Sequence, residues 1–280
     1  MASWLSQILS FRREPTQVPL YFMHIPKTAG TTVDHMLRSR FPRRRANSTF
    51  NVVELMRLPQ RKLAALEFIS GHLEFGYYLE ELLGRPVRAI AFVREPRPLL
   101  LSIYKQVIKD PADPVHAYVR ANCPSIDQFF RDPVMSAYVA NFQTRYVALA
   151  ERRFDAATVE AVRQAPAHRI EGILRDAVAR EQANTPSNAG LLQRATERLQ
   201  ACWFVGVTER LDESMARLAG KLGWKPFPPA PQINRSPHSA RTSDLSKATL
   251  RRIDELTSLD RILYDRATEI EFGKTQRAAA

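Results

Sequence analysis

The sequence predicts an α/β fold: a mainly parallel central sheet of about five strands flanked by helices on both faces. Three observations carry this. Short apolar runs of strand length alternate with longer segments of helical period along the chain. The strongest run, Val87–Val93, is apolar almost throughout, as a strand covered on both faces must be. The composition is that of a packed globular chain, 45% hydrophobic and 25% charged over 280 residues.

The elements follow in order. Leu20–Ile25 reads as a short buried strand. Pro26–Gly30 is a turn, and Thr31 or Thr32 is placed to cap the helix carrying Val33, Met36 and Leu37, which ends before Pro42. Arg43–Arg45 is a charge run on a surface loop. Asn51–Leu55 reads as the second strand, Arg61–Leu66 as a helix, Phe68–Ser70 as a strand and Gly71–Gly76 as a loop. Val87–Val93 ends at Arg94-Glu-Pro-Arg-Pro98, whose prolines suit the first turn of a helix running to about Lys109. A further helix is expected over about Ser136–Ala150. Residues 151–200 are polar, rich in Arg and Glu and helical in period, broken at Asn184–Gly190; they read as a helical insertion or a lid. Trp203–Val207 is the last strand, with a helix over about Asp212–Leu222. Lys225–His238 holds five prolines and is a long loop. Two helices and a frayed Thr275–Ala280 tail close the chain.

Composition excludes several classes. Two cysteines, Cys123 and Cys202, rule out a disulfide scaffold and a cysteine-based zinc cluster, and two free thiols in a reducing compartment is the plainer reading. No run approaches the ~18 apolar residues of a membrane span. Met1–Pro15 lacks the basic start and small-residue cleavage site of a signal peptide, and Trp4, Leu5, Ile8 and Leu9 share one helical face, that of a helix docking on its own domain or, as the alternative, of an interfacial membrane helix. Together these point to a cytoplasmic protein. The net charge is +12, and 41 basic residues include only eight lysines. Arginine forks suit phosphates and carboxylates, so an anionic ligand is expected. No stripe of interleaved aromatic and basic residues marks a nucleic-acid surface.

A strand, then Pro26-Lys-Thr-Ala-Gly-Thr-Thr32, then a helix is a phosphate-binding arrangement. The turn and the helix start present backbone N–H groups to one anion. Pro26, Lys27, Thr28, Ala29, Gly30, Thr31 and Thr32 are the candidate residues: Lys27 adds charge, Gly30 close approach, the threonines hydroxyls. It is not the G-x-x-x-x-G-K-[ST] loop, because the lysine precedes a single glycine. Arg94 stands at the carboxyl end of its strand and Ser102 about two turns into the next helix, near enough to reach one group; by itself Arg94 reads as a salt-bridge residue.

His24–Thr32 resembles the 5′-phosphosulfate loop of sulfotransferases that use 3′-phosphoadenosine 5′-phosphosulfate, in the form found in the heparan-sulfate 2-O-sulfotransferase-like branch and its bacterial relatives. Ala89–Pro96 with Ser102 resembles the 3′-phosphate motif of the same family, with one departure: Pro98 stands where the family often has a second arginine. Ser70–Gly76, Asn141–Arg145, Phe204–Ser214 and Leu259–Tyr264 resemble further family segments, so the likeness spans roughly 18–272 with 151–190 unmatched. The resemblance implies one sulfotransferase domain over 1–280 with a P-loop nucleotide-kinase-like architecture. It implies 3′-phosphoadenosine 5′-phosphosulfate as co-substrate, no metal, and transfer to a hydroxyl on an acceptor such as a carbohydrate.

For the chemistry, Lys27 is the candidate to neutralise the leaving phosphate and His72 the candidate general base, with Glu74 as the alternative base. A histidine titrating near neutrality suits that role, and the family has one in this segment. His24, inside the first strand, reads as structural. Gln143 and Arg145 could reach donor or acceptor. Asn234-Arg-Ser236 could close over the adenosine, and Arg43–Arg45 could recruit an acidic acceptor. Two rival readings remain at this stage: an ATP-dependent kinase, and a noncatalytic binder of acidic glycan or nucleic acid. The sequence leaves acceptor and oligomeric state open.

Overall fold

The computed structural model describes residues 18–48, 52–72, 76–149, 187–229 and 245–273, and a few positions between 161 and 173. Five strands form one sheet: β1 Leu20–Met23, β2 Ala46–Ser48, β3 Phe68–Gly71, β4 Arg88–Val93 and β5 Phe204–Val207. Their order is β2-β3-β1-β4-β5 and every pairing is parallel. Helices cover both faces, as the alternation of strands and helices requires.

Side chains alternate across the sheet because the strand period is two. Leu20 and Phe22 of β1, Ile90 and Phe92 of β4 and Phe204 of β5 share one core cluster. It includes Val33, Met36 and Leu37 of α1, Gly30–Arg38, whose i, i+3, i+4 spacing makes one apolar stripe. Tyr21, Met23, Ala91, Val93, Val205 and Val207 form the other cluster. There they join Leu191 and Leu199 of helix Asn188–Ala201 and Leu263 of helix Ser258–Phe272. Each buried Phe contributes about 1.5–3 kcal/mol. Gly206 is small for a packing reason: a Cβ there would lie 2.4 Å from Phe92 Cε1.

From β1 the chain runs to β2 at one edge and returns to β3, then crosses to β4 on the other side of β1. The loops after β1 and β4 therefore leave in opposite directions. The crevice between them, at the carboxyl ends, is where open α/β sheets bind ligands.

Four expectations change. The second strand is not Asn51–Leu55 but Ala46–Ser48. Val52–Met56 is helical and buries Leu55 and Met56, while the short polar segment before it pairs with β3. Its start is fixed by the Arg45–Glu67 ion pair, so Arg45 is not simply solvated charge. The helix expected over Ser136–Ala150 is two, Pro133–Val139 and Phe142–Leu149. They part at Asn141, whose φ of 47° no right-handed helix accepts, and whose N–H and Oδ1 go to Leu256 O and Leu259 N–H. Finally, neither Thr31 nor Thr32 caps α1; its N-cap is Ala29. Residues 188–201, the end of the stretch read as an insertion or lid, form a helix in the same core as β1. Of the break expected at Asn184–Gly190, Ser187 is the N-cap and Asn188–Gly190 already belong to the helix, while 184–186 lie outside the described residues, as do the docking helix at 1–15, the 234–236 segment and the tail.

Candidate functional site

The loop after β1 is held from beneath. His24 N–H donates to Gly71 O at 3.1 Å, which ties the ends of β1 and β3 together. The fully buried Thr28 donates Oγ1–H to Ile25 O at 2.9 Å and closes the turn. Lys27 and Ala29 are then forced to φ of 69° and 61°. Non-glycine residues in this left-handed region cost about 1–2 kcal/mol each, and they persist where the surroundings over-determine them. Ala29 O accepts from Thr32 N–H and Val33 N–H. Among the described residues, the backbone N–H groups of Ala29, Gly30 and Thr31 take no protein partner. A capping Thr would have consumed one of these donors; an alanine N-cap leaves them aimed past the helix start, where the macrodipole favours negative charge.

Gly30 does not serve close anion approach alone. A Cβ there would lie 1.7 Å from His24 Cδ2, so the missing side chain is the space the His24 ring occupies.

Arg94 follows β4 and reaches across to the same loop, donating Nη1–H to Lys27 O at 2.9 Å. Its Nε lies 3.9 Å from Glu209 Oε1, a carboxylate delivered by the turn after β5. Its backbone is gripped by Gln143, which accepts from Arg94 N–H at 3.2 Å and donates to Arg94 O at 2.9 Å. Burial and the neighbouring Arg94 lower the Lys27 pKa. Two cations are thus held side by side at the loop, a setting that an anion relieves.

His72 stands just past β3. Its Nδ1 lies 2.8 Å from His24 O. A carbonyl only accepts, so in the neutral ring Nδ1 carries the proton and Nε2 is the basic nitrogen. Burial lowers the His72 pKa, the bond to His24 O raises it, and Lys27 lowers it. The ring is therefore neutral at pH 7 and ready to accept a proton. His24 is buried and driven down to about 3, by burial first, then by His72 and Lys27. Read from the sequence as a structural residue inside the first strand, it lies just past β1, and its contact with His72 had no signal in the sequence.

The structure thus brings Lys27, Thr28–Thr32, Arg94 and His72 to one sheet edge. Ser102 lies half-buried in the second turn of helix Pro96–Lys109 with no hydrogen bond to Arg94 or the loop. Glu74 lies outside the described residues. Gln143 is fully buried on the Arg94 backbone, while Arg145 donates one Nη2–H to Tyr138 O at 2.5 Å and keeps its buried Nε without a protein partner among the described residues.

Sequence reasoning missed three groups. Tyr146 donates its hydroxyl to His24 O at 3.2 Å from a residue 122 positions away. Asp34, one turn into α1, accepts from Ser48 Oγ at 2.8 Å and from Ser70 Oγ, and so binds the ends of β2 and β3 to α1. Glu209, which faces Arg94 and accepts from Tyr264 at 3.2 Å, is pushed up by burial.

Among the described residues, no group of three or more His, Cys, Asp or Glu is placed to hold a metal ion, and no helix is long and apolar enough to cross a membrane. Cys123 and Cys202 are free thiols. No protein-family model matches the chain, and no curated protein does.

Proposed function

We propose that this protein transfers a sulfuryl group from 3′-phosphoadenosine 5′-phosphosulfate to a hydroxyl of a carbohydrate acceptor. The observation that carries the reading is the convergence of three features on one crevice. These are a strained loop with open N–H donors, the paired cations Lys27 and Arg94, and a neutral histidine with its basic Nε2 at the same sheet edge. The motif resemblance supports the identity of the donor.

The donor supplies the activated sulfuryl group and departs as adenosine 3′,5′-bisphosphate. An acceptor oxygen forms a new bond to sulfur, the bond from sulfur to the 5′-phosphate oxygen breaks, and the hydroxyl proton passes to His72 Nε2. Lys27 and the N–H groups of Ala29–Thr31 hold the 5′-phosphate and take up the charge that builds on it. Arg94 keeps Lys27 in place through Lys27 O; with Ser102 it is the candidate for the 3′-phosphate, a role in which Glu209 competes for the guanidinium. Two free thiols fit a reducing, cytoplasmic setting.

The test is a thermal-shift comparison of adenosine 3′,5′-bisphosphate, ATP with magnesium, and heparin, followed by transfer of labelled sulfur from the donor to glycan pools. Stabilisation by the bisphosphate above the other two, and label on a glycan, are expected. Stabilisation by ATP with magnesium alone would overturn the reading in favour of a kinase, and by heparin alone in favour of a glycan binder. The 3′-phosphate assignment has its own test: Arg94→Ala should weaken adenosine 3′,5′-bisphosphate far more than adenosine 5′-phosphate. Equal losses would leave Arg94 as a loop anchor only.

A further inference from the structure

The side of the sheet that carries Phe22 holds a column of four rings ending at the candidate base. Phe92 of β4 meets Phe22 of β1 edge-on, at 6.1 Å and 87°. Phe22 stacks on His24 at 5.5 Å and 13°. His24 lies over His72 at 4.3 Å and 32°. The column is footed in the core: Phe22 and Phe92 are completely buried, and Phe92 occupies the space left by the missing side chain of Gly206. Its third ring, His24, fills the space left by the missing side chain of Gly30 in the phosphate loop. The carbonyl of His24 also accepts from His72 Nδ1 and Tyr146 Oη.

We infer that His24 is a positioning residue for His72: its ring, wedged among Phe22, Gly30 and His72, makes the anion loop and the basic imidazole one rigid unit anchored in the core. The inference deepens the proposed function and rests on His72 being the base. The backbone carbonyl of His24 sets which nitrogen of His72 carries the proton. The ring sets where the other nitrogen stands and keeps water off one face of it. His24 does not compete for the proton, because burial between Phe22 and His72 holds it neutral. Among the described residues, the charged or titratable groups shown facing the pair include Lys27 from the loop and Tyr146 from helix Phe142–Leu149; Arg94 acts on them through Lys27.

What the position needs is a flat ring, not an imidazole. His24→Phe keeps the ring and cannot titrate; His24→Ala removes it. A displacement of reacting groups by about 1 Å costs on the order of 10² in rate. His24→Ala is expected to lose about that factor in kcat, with a smaller loss of affinity for adenosine 3′,5′-bisphosphate because the ring also braces the loop at Gly30. Water admitted beside His72 should move the acidic limb of the pH–rate profile upward, toward an ordinary imidazole. His24→Phe should restore both. Nitrogen NMR of His72, with neither donor nor acceptor present, should show the Nδ1–H tautomer and depressed titration in the wild type and in His24→Phe. In His24→Ala, which keeps the backbone carbonyl and with it the Nδ1–H tautomer, a higher midpoint is expected. Should His24→Ala fail to fold, His24→Leu, which fills volume without a flat ring, is read the same way.

The inference falls if the ring-less variant keeps the wild-type His72 signals and pH limb, or if folded His24→Phe behaves like it. If the wild type transfers no sulfuryl group, but His72 signals move in the ring-less variant and return with phenylalanine, the positioning stands and the functional reading fails alone.

Discussion

Two polar knots lie at the carboxyl end of the sheet, and they use their hydrogen bonds in opposite ways. One joins Asn141, Gln143 and Thr144 to the closing helix. Asp260 is fully buried and accepts from Thr144 N–H at 2.8 Å, Thr144 Oγ1 at 2.6 Å and Gln143 N–H at 3.4 Å. Gln143 spends its amide on Arg94, and Asn141 spends its own on Leu259. The other knot is the loop of residues 26–32, where the N–H groups of Ala29–Thr31 have no protein partner among the described residues, and two residues are held in the left-handed region. Both contain polar residues in compact motifs, and residue types alone made both candidates for ligand contact. Satisfaction separates them: the closed knot holds the frame, and the open one can bind.

The comparison breaks most sharply if the open knot is dispensable. Lys27→Ala should lower kcat by about 10²–10³ through the loss of one preorganised cation and should weaken the donor, with the melting temperature little changed. His72→Gln should cost about 10²–10⁴ in kcat and remove the acidic limb while donor affinity stays. If His72→Gln turns over normally, the base is Glu74 or proton removal is not limiting.

The closed knot should answer in stability. Asp260→Ala leaves buried donors of Thr144 and Gln143 unmet, at about 1–3 kcal/mol for each, so a loss of several kcal/mol is expected in urea unfolding. Burial raises the Asp260 pKa from 3.8 to about 6 despite its hydrogen bonds. The folded state then binds the proton more readily than the unfolded chain. Its contribution is fully present below about pH 4 and is lost as pH rises through about 6. Subtracting the stability of Asp260→Asn from that of the wild type at each pH should give a difference that falls across this window. A flat difference would mean that the carboxylate is not buried as described.

Gly30→Ala tests the boundary between the two behaviours. A Cβ at 1.7 Å from the His24 ring forces that ring to move. Overpacking costs about 1–3 kcal/mol, and because the ring touches His72, turnover should fall along with stability. Loss of stability with unaltered kcat would separate His24 from the base. The smallest effect is expected at Ala29, where φ is 61°. Ala29→Gly removes the left-handed penalty but loosens the unfolded chain, so a gain of up to about 1 kcal/mol is expected from thermal melts. A loss would mean that the loop is not strained there.

The acid side of the stability curve belongs to the same contrast. His24 is held neutral well below its ordinary value, so the folded state refuses a proton that the unfolded chain takes up. That stability is present above about pH 6.5 and is lost as pH falls toward about 3. His24→Phe should remove this part of the acid sensitivity, which a comparison of melting temperatures at pH 7 and pH 5 would read.

Much of this was legible in the chain. Apolar runs read at Leu20–Ile25, Phe68–Ser70, Val87–Val93 and Trp203–Val207 mark four of the five strands to within two residues, because a strand covered on both faces must be apolar along its length. The turn at residues 26–30 and the prolines after Arg94 marked the two loops that flank the crevice, since those residues constrain φ locally. Local chemistry ends there. Ala46–Ser48 is a strand only because β3 offers it a partner, and no pattern in three polar residues announces that. Asn141 breaks a helix because Leu256 and Leu259 take up its polar groups from more than a hundred residues away. Whether Gln143 binds a ligand or the backbone of Arg94, and whether Gly30 makes room for an anion or for the His24 ring, depends on which atoms the fold brings within 3–4 Å. The sequence by itself determined strand, turn and charge, because these follow from a residue and its near neighbours. Only the tertiary structure decided which polar groups were spent and which were left without a protein partner among the described residues, because that depends on partners distant along the chain.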